Sequence, residues 1–500
     1  MLEPVNVSME SLNLMTLAPM LIPVIGALLI IVIDTIKGGL DRTLYVVLSM
    51  LFILLDIGAL MSASSTFSEN GTMMGVFDVM LIDGLAIISQ FIIVGAALLF
   101  IPLSLSSKRF HESSYAEFFA LFLFVTSGFQ FMVATDNLIL IFVGLETGSL
   151  ALYTMIAMHN RDNAYEAAVK YFTMGALAAG FFSFGSMVFY ALTGSVEINQ
   201  IASVLAANSY ADIGYVLVGA VFLLASLGFK VSLVPFHTWT PDVYEGATPT
   251  MAGYMSIVPK IAGFIVIMRI FEFLIHSNVV WLEIVLYAIV VVTMTAANIW
   301  ALVQTDVKRM LAYSSISHAG FVMAAVMIGT TQANTALFLY WILFSITNLG
   351  SFAMLWMSHQ KVNPDGQESD YSFSKFSGMI HTSPMAAVII TIFMLSLAGV
   401  PPFALFWGKL YMISSAVTAG YTVLALIMAL NSAIAGYYYL KLIIFMLMKE
   451  PVNDGAVFSA NGSTPIKVII GLALVGTIFA FTAVDPLLEF ITAFVYKSGY

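Results

Sequence analysis

Fourteen apolar runs decide what this chain can fold into. About 30 Å of hydrocarbon takes roughly 20 helical residues to cross. Runs of that order lie near 15–34, 43–63, 80–104, 115–134, 137–158, 165–192, 212–234, 250–275, 279–303, 309–329, 333–358, 383–415, 420–447 and 466–493. Each far exceeds the about 9 to 11 alternating residues of a barrel strand, so the spans are expected to be helices. The chain is 60% hydrophobic and 9% charged, against about 25% charged in soluble domains. The expected fold is therefore an all-α polytopic membrane protein of about 14 transmembrane helices. Met1 to Asn13 holds Glu3 and Glu10 and no basic residue, which is not the positive flank of a cleaved signal. The first run is expected to remain as a span.

The remaining charges sort by loop. Lys37, Arg42, Lys108, Arg109, Arg161, Lys308, Arg309, Lys361, Lys375, Lys449 and Lys467 fall in or beside loops after odd-numbered spans. Arg269 and Lys497 fall at the other face. Basic loops stay on the cytoplasmic side, so both termini are expected outside, and Lys441 is expected to snorkel from the inner end of span thirteen. A net charge of −10 argues against nucleic-acid binding. With no cysteine there is no thiolate-held iron–sulfur cluster, and no Gly-rich phosphate motif is present. Redox or nucleotide chemistry is expected on other chains.

Four lysines have no loop to belong to: Lys170, Lys230, Lys260 and Lys409, in spans six, seven, eight and twelve. An ionisable group in hydrocarbon costs roughly 2.5 to 3.5 kcal/mol, so such groups normally face a bundle interior and carry an ion or a proton. Lys230 lies in an apolar run broken by Pro235, and Lys409 follows a second break at Pro401-Pro402. Membrane helices tolerate such breaks only where protein or cavity water satisfies the freed carbonyls. The lysine precedes one break and follows the other, as expected of two repeats of opposite topology. The expected organisation is three N-terminal helices over 1–114, repeats over 115–275 and 279–449 with helices 7 and 12 broken, and a last helix over 450–500.

Glu146, at mid-depth of span five, is the candidate partner for a buried lysine. An amine taken out of water binds its proton less tightly, and a nearby carboxylate restores that affinity. A Lys–Glu pair of changing spacing therefore exchanges a proton near neutral pH without metal or covalent chemistry. His237, after the first break, and His318 are candidate stepping stones because imidazole titrates near neutrality. Ser314 and His318 are four apart and share a helix face. Plainer roles stand beside each. Lys230 can snorkel, His237 and His318 can satisfy buried backbone or hydroxyl groups, and Lys170 can form an i,i+4 pair with Glu166. Asp242 and Glu245 are expected to anchor the break, Asp83 to be structural and Asp56 to pair locally.

The run Lys230-Val231-Ser232-Leu233-Val234-Pro235-Phe236-His237-Thr238-Trp239-Thr240-Pro241-Asp242-Val243-Tyr244-Glu245-Gly246-Ala247 and the run Lys308-Arg309-Met310-Leu311-Ala312-Tyr313-Ser314-Ser315-Ile316-Ser317-His318-Ala319-Gly320 resemble the antiporter-like subunits of respiratory complex I. The resemblance implies fourteen helices with two inverted five-helix repeats, and proton pumping driven by quinone reduction elsewhere in the complex. By motif it implies that Glu146 pairs with Lys230, that Lys260 relays towards the second half and that Lys409 is the key lysine there. Lys170 and His237 match further polar positions. It also implies FMN, iron–sulfur clusters and quinone on partner subunits, neighbouring membrane subunits including other antiporter-like ones, and a bacterial inner membrane. A multisubunit sodium/proton antiporter, a related complex with another electron donor and a purely structural scaffold remain open as alternatives.

Overall fold

In hydrocarbon every backbone N–H and C=O has to be satisfied within the chain, and a helix does this locally. The computed structural model describes residues 13–76, 78–106, 115–208, 213–276, 280–358, 371–451 and 463–499. Glu3, Glu10, Lys108, Arg109 and Lys361 lie outside the described residues. Numbered in chain order, the helices are α1 (Ala18–Lys37), α2 (Arg42–Asn70), α3 (Gly84–Phe100), α4 (Ala116–Val133), α5 (Leu138–Ala157), α6 (Asp162–Thr193) and α7 (Ile198–Ala207). There follow α8 (Ile213–Val231), α9 (Trp239–Gly246), α10 (Pro249–Met255), α11 (Val258–His276), α12 (Val280–Leu302), α13 (Val307–Ile328) and α14 (Thr331–Met357). The chain continues with α15 (Met379–Thr382), α16 (Pro384–Ala398), α17 (Ala404–Thr418), α18 (Thr422–Met448), α19 (Thr464–Phe479) and α20 (Val484–Lys497). Among the described residues, 13 helical segments are long and apolar enough to cross a membrane. The expected span twelve is supplied by the two shorter halves α16 and α17.

Polar side chains start these helices by accepting from orphan N–H groups. Asp41 caps α2, Asp83 caps α3, Asn137 caps α5 and Asp306 caps α13. Burial then sorts the helices. The membrane-length windows of α11 with α10, and of α13, are almost wholly enclosed, while α1, α2, α6, α12, α18 and α19 keep most of their surface outside. The core is thus a central set of helices with polar residues along it, ringed by apolar helices. Close approach within it needs small residues: a Cβ on Gly144 of α5 would stand 2.6 Å from the Gly128 carbonyl oxygen of α4.

Two expected spans differ from single helices. Span fourteen is interrupted at Ala480–Thr482, and α20 is a separate amphipathic helix that buries Val484, Ile491, Phe494 and Val495. Asp485 and Pro486 at its first turn start a new helix rather than continue an old one. Span eight bends between Met255 and Val258, so Pro259 opens α11. Lys441 behaves as expected at the end of its helix, with its Nζ donating to the Gln304 carbonyl at 2.9 Å, just beyond α12.

The two expected breaks share one backbone pattern. After α8, Leu233 N–H bonds the Gly228 carbonyl and Ser232 N–H that of Phe229; after α16, Val400 N–H bonds Leu395 and Gly399 N–H bonds Ser396. Ser232 and Gly399 both have positive φ, and a cis proline follows each, at Pro235 and at Pro402. A second parallel lies at the starts of α5 and α13. Leu138 N–H bonds the Val196 carbonyl and Ile198 N–H that of Asp136, just as Val307 bonds Tyr371 and Phe373 bonds Thr305.

A buried ion pair ties the start of α3 to α11. Arg269 of α11 donates from two nitrogens to the Asp83 carboxylate, both at 2.8 Å, and to the Val133 carbonyl at 3.1 Å. Asp83 thus has the structural role expected of it. Removing one partner of a buried pair costs about 3–5 kcal/mol because the other stays buried and charged. Asp83→Ala is expected to lower the thermal stability of the detergent-purified protein by a corresponding margin, and an unchanged unfolding temperature would refute that role.

Candidate functional site

The buried lysines each meet neutral oxygens. Lys230, at the end of α8, donates to Ser149 Oγ of α5 at 2.7 Å and approaches the Tyr171 hydroxyl of α6 at 3.5 Å. Its ammonium also lies 4.9 Å from the Phe129 ring centroid, within cation–π range. Lys260, fully buried in the first turn of α11, donates to the Ser315 carbonyl at 3.0 Å and to its hydroxyl at 2.8 Å. Lys409 of α17 reaches back across the break to the carbonyls of Leu397 and Ala398, at 3.0 and 2.9 Å. Those are carbonyls at the broken end of α16, so the interruption and the ammonium satisfy each other.

His318 stands one turn beyond Ser315 on α13. Its Nδ1 lies 2.5 Å from the Tyr340 hydroxyl of α14 and its Nε2 3.2 Å from the Tyr439 hydroxyl of α18. Ser314 also bonds Tyr439, so the shared helix face expected of Ser314 and His318 converges on one phenol. Beyond it, Tyr438 donates to Asn298 Oδ1 at 3.1 Å, and Asn298 donates to Asn431.

Glu146 is near this line but not closed onto it. No ion pair joins it to Lys230 among the described residues, and its Oε1 has no hydrogen-bond partner. The lysine has instead taken Ser149, almost one turn further along the same helix. His237 stacks on the Trp300 ring, with centroids 4.7 Å apart and planes 8° apart, and among the described residues its Nδ1 has no hydrogen-bond partner. Asp56 of α2 accepts from Gln130 at 3.0 Å, a local pairing as expected.

Lys170 lies apart from the buried lysines. Its side chain is 42% exposed and forms ion pairs with Glu166 at 2.7 Å and with Asp242 at 2.9 Å. Asp242 also pairs with Arg309 of α13 at 2.9 Å, and Arg309 with Glu245 at 2.5 Å. Burial acts to raise the Asp242 carboxyl, but Lys170 and Arg309 outweigh it and hold the group below the usual carboxylate range. The group is therefore charged at neutral pH and loses that charge only in acid. Asp242 and Glu245 thus anchor the short helix after the break to α6 and α13, as expected of them.

The hydroxyls of Ser149, Tyr171, Ser315, Tyr340 and Tyr439 were not legible as site residues. Serine and tyrosine are ordinary in apolar helices, and only the lysine or histidine placed against each one distinguishes it. In chemical terms the arrangement is a row of amines and an imidazole joined to hydroxyls, each able to accept one proton and release another.

Comparison with known proteins gives one answer along the whole chain. Residues 135–435 match the family model described as NADH:quinone oxidoreductase/Mrp antiporter, TM. The chain is 75% identical to the NADH-quinone oxidoreductase subunit N of Sulfurimonas denitrificans, and 56% identical to that of a Sulfurovum species, each over 100% of both chains. Among solved structures it is similar to a chain of respiratory complex I from Thermus thermophilus with a TM-score of 0.75 and 26% identity, covering 94% of this chain and 99% of that one. It shares a fold with a chain of the Mrp complex from Dietzia, with a TM-score of 0.82 and 19% identity over 97% of each. The chain belongs to the family of antiporter-like membrane subunits common to NADH:quinone oxidoreductases and Mrp antiporters.

Proposed function

We infer that this chain is a proton-translocating membrane subunit of a respiratory NADH-quinone oxidoreductase. It couples quinone reduction elsewhere in the complex to proton movement along its buried lysines. The observation that carries the reading is that Lys230, Lys260 and Lys409 are all enclosed and all bonded to neutral oxygens. A buried ammonium without a counter-ion is held loosely enough to lose its proton. His318 stands between Lys260 and Lys409 on the polar line, and Glu146 is close enough to Lys230 to bias it. Lys170 contributes to the same path from the surface, and His237 from the break.

Residues 115–275 and 279–449 are read as two inverted repeats, supported by the matching breaks and the matching starts of α5 and α13. An odd number of spans per repeat places successive repeats in opposite orientation. The exposed apolar faces of α1, α2, α6 and α18 fit the bilayer and neighbouring membrane subunits, including other antiporter-like ones. FMN, iron–sulfur clusters and quinone belong to partner subunits, and the electron donor follows the family. The membrane is the bacterial inner membrane, with both termini periplasmic. The shared fold with the Mrp chain keeps sodium/proton exchange as the second reading, and sodium-stimulated exchange without redox substrate would select it.

Three measurements check these points. In proteoliposomes of the intact complex, Lys409→Ala is expected to depress quinone reduction and pH-gradient formation together while assembly persists, and unaffected activities would remove Lys409 from the path. Gly399→Ala keeps every charge but places a Cβ 2.7 Å from Lys409 Cδ at a φ of +85°. It is expected to impair pumping by displacing the amine, and wild-type pumping would show that the lysine's position is not critical. The chain has no cysteine, so single cysteines at Lys37 and Ser195 can be labelled cleanly. The first is expected to react only from the cytoplasmic side and the second only from the periplasmic side; the reverse pattern overturns the orientation.

A further inference from the structure

One phenol bears on both the Lys230–Tyr171 contact and the Lys260–Ser315 contact. Tyr244 of α9 is fully buried, and among the described residues its hydroxyl closes no hydrogen bond of normal length and angle. A buried phenol normally finds a partner. This one faces the Ser315 hydroxyl that receives Lys260, and lies within electrostatic reach of the Tyr171 hydroxyl that Lys230 approaches. Its helix packs against both α6 and α13, the two helices that carry those hydroxyls. The ring is held against Trp239, whose Nε1 donates to the Phe229 carbonyl at 2.9 Å beside Lys230.

The opposite side of the same short helix explains how the phenol is held there. With 3.6 residues per turn, Asp242, Glu245 and Gly246 share one side of α9 and Tyr244 takes the other. The first side lines a polar cleft of about 200 Å³, where Lys170 and Arg309 clamp the two carboxylates. The second half of the chain offers a parallel. Counted from the first residue of the helix after each break, Trp239 and Ala404, Tyr244 and Lys409 are both sixth.

We propose that Tyr244 is the proton-carrying link between Lys230 and Lys260, set in place by the ion-paired outer side of α9. The proposal rests on the pump reading above and names the residue that bridges its first two amines. In the transfer, an N–H bond of protonated Lys230 breaks and its proton passes to the Tyr171 oxygen. Tyr171 releases its own proton to Tyr244, Tyr244 to Ser315, and Ser315 to the lone pair of neutral Lys260. Each hydroxyl ends with the one proton it began with, and one positive charge has moved from Lys230 to Lys260.

The test uses the intact complex in proteoliposomes. Tyr244→Phe keeps the ring and removes only the hydroxyl; loss of a positioned proton-transfer group is expected to slow coupled pumping roughly tenfold or more. Tyr244→His, which again carries an exchangeable proton, is expected to restore most of that rate, as a packing role would not. Wild-type pumping by an assembled Tyr244→Phe complex overturns the proposal. If Tyr244→Phe does not assemble, Ser315→Ala and Ser315→Thr decide: loss in the first with retention in the second supports the link, and equal rates overturn it. The Lys409→Ala complex measured alongside separates the two readings. A defect there without one at position 244 removes only the link, whereas no defect in either removes Lys409 from the path as well, and with it the buried-amine reading on which the link rests.

Discussion

An ammonium enclosed in a membrane protein needs oxygen around it, and the kind of oxygen decides what the ammonium can do. Arg269 is given the Asp83 carboxylate, at two contacts of 2.8 Å. Guanidinium does not release its proton in proteins, so that pair is a permanent tie between α11 and the start of α3. Lys230, Lys260 and Lys409 are given hydroxyls and carbonyls instead. A carboxylate on each would fix the proton by mutual attraction in a low dielectric. Neutral oxygens solvate the charged amine well enough to bury it and leave the neutral amine free of an orphaned anion. Both solutions occur on α11, at Lys260 and Arg269, two and a half turns apart and so on opposite faces of the helix.

The broken helices follow from the same need. An intact helix has spent its carbonyls on its own N–H groups, so it has none to offer an ammonium. The interruption after α16 frees the carbonyls of Leu397 and Ala398 at the depth of Lys409, and Gly399 leaves the room through which the side chain returns. After α8, the Phe229 carbonyl accepts from Ser232 N–H and from Trp239 Nε1, and Lys230 turns to side-chain hydroxyls on α5 and α6. One backbone device thus serves two different amine environments.

How much of this was legible in the sequence depends on whether a residue is rare in hydrocarbon. Lysines and proline breaks are, and the three enclosed lysines and both breaks are readable from the sequence, whereas Lys170, expected in the same set, lies at the surface in ion pairs with Glu166 and Asp242. The spans were readable for the same reason, except where local polarity redirected them. Asp485-Pro486 turns the end of span fourteen into the amphipathic α20, and the loop after α6 holds α7. The hydroxyl partners were not readable, because one serine among many in apolar helices carries no mark until an amine is placed on it. The expected Glu146–Lys230 pair is not closed as an ion pair among the described residues. A complementary charge at the right depth does not fix the rotamer, and Ser149 on the same helix offers the amine a hydrogen bond at 2.7 Å.

The two breaks differ in where the amine sits. In the first half the amine sits before the break, at Lys230, and the position after it is the phenol Tyr244. In the second half Leu397 stands two residues after Leu395, as Lys230 does after Gly228, and the amine is after the break, at Lys409. Two amines on both sides of one break would be neighbours of like charge in a medium that screens them poorly. Only one of them would then hold a proton at a time. Alternating amine with hydroxyl or imidazole spaces the charged states apart. A charge arriving at one is then felt by the next as a bias rather than a bar. That is the property a relay needs if an event at one end of the row is to be read at the other.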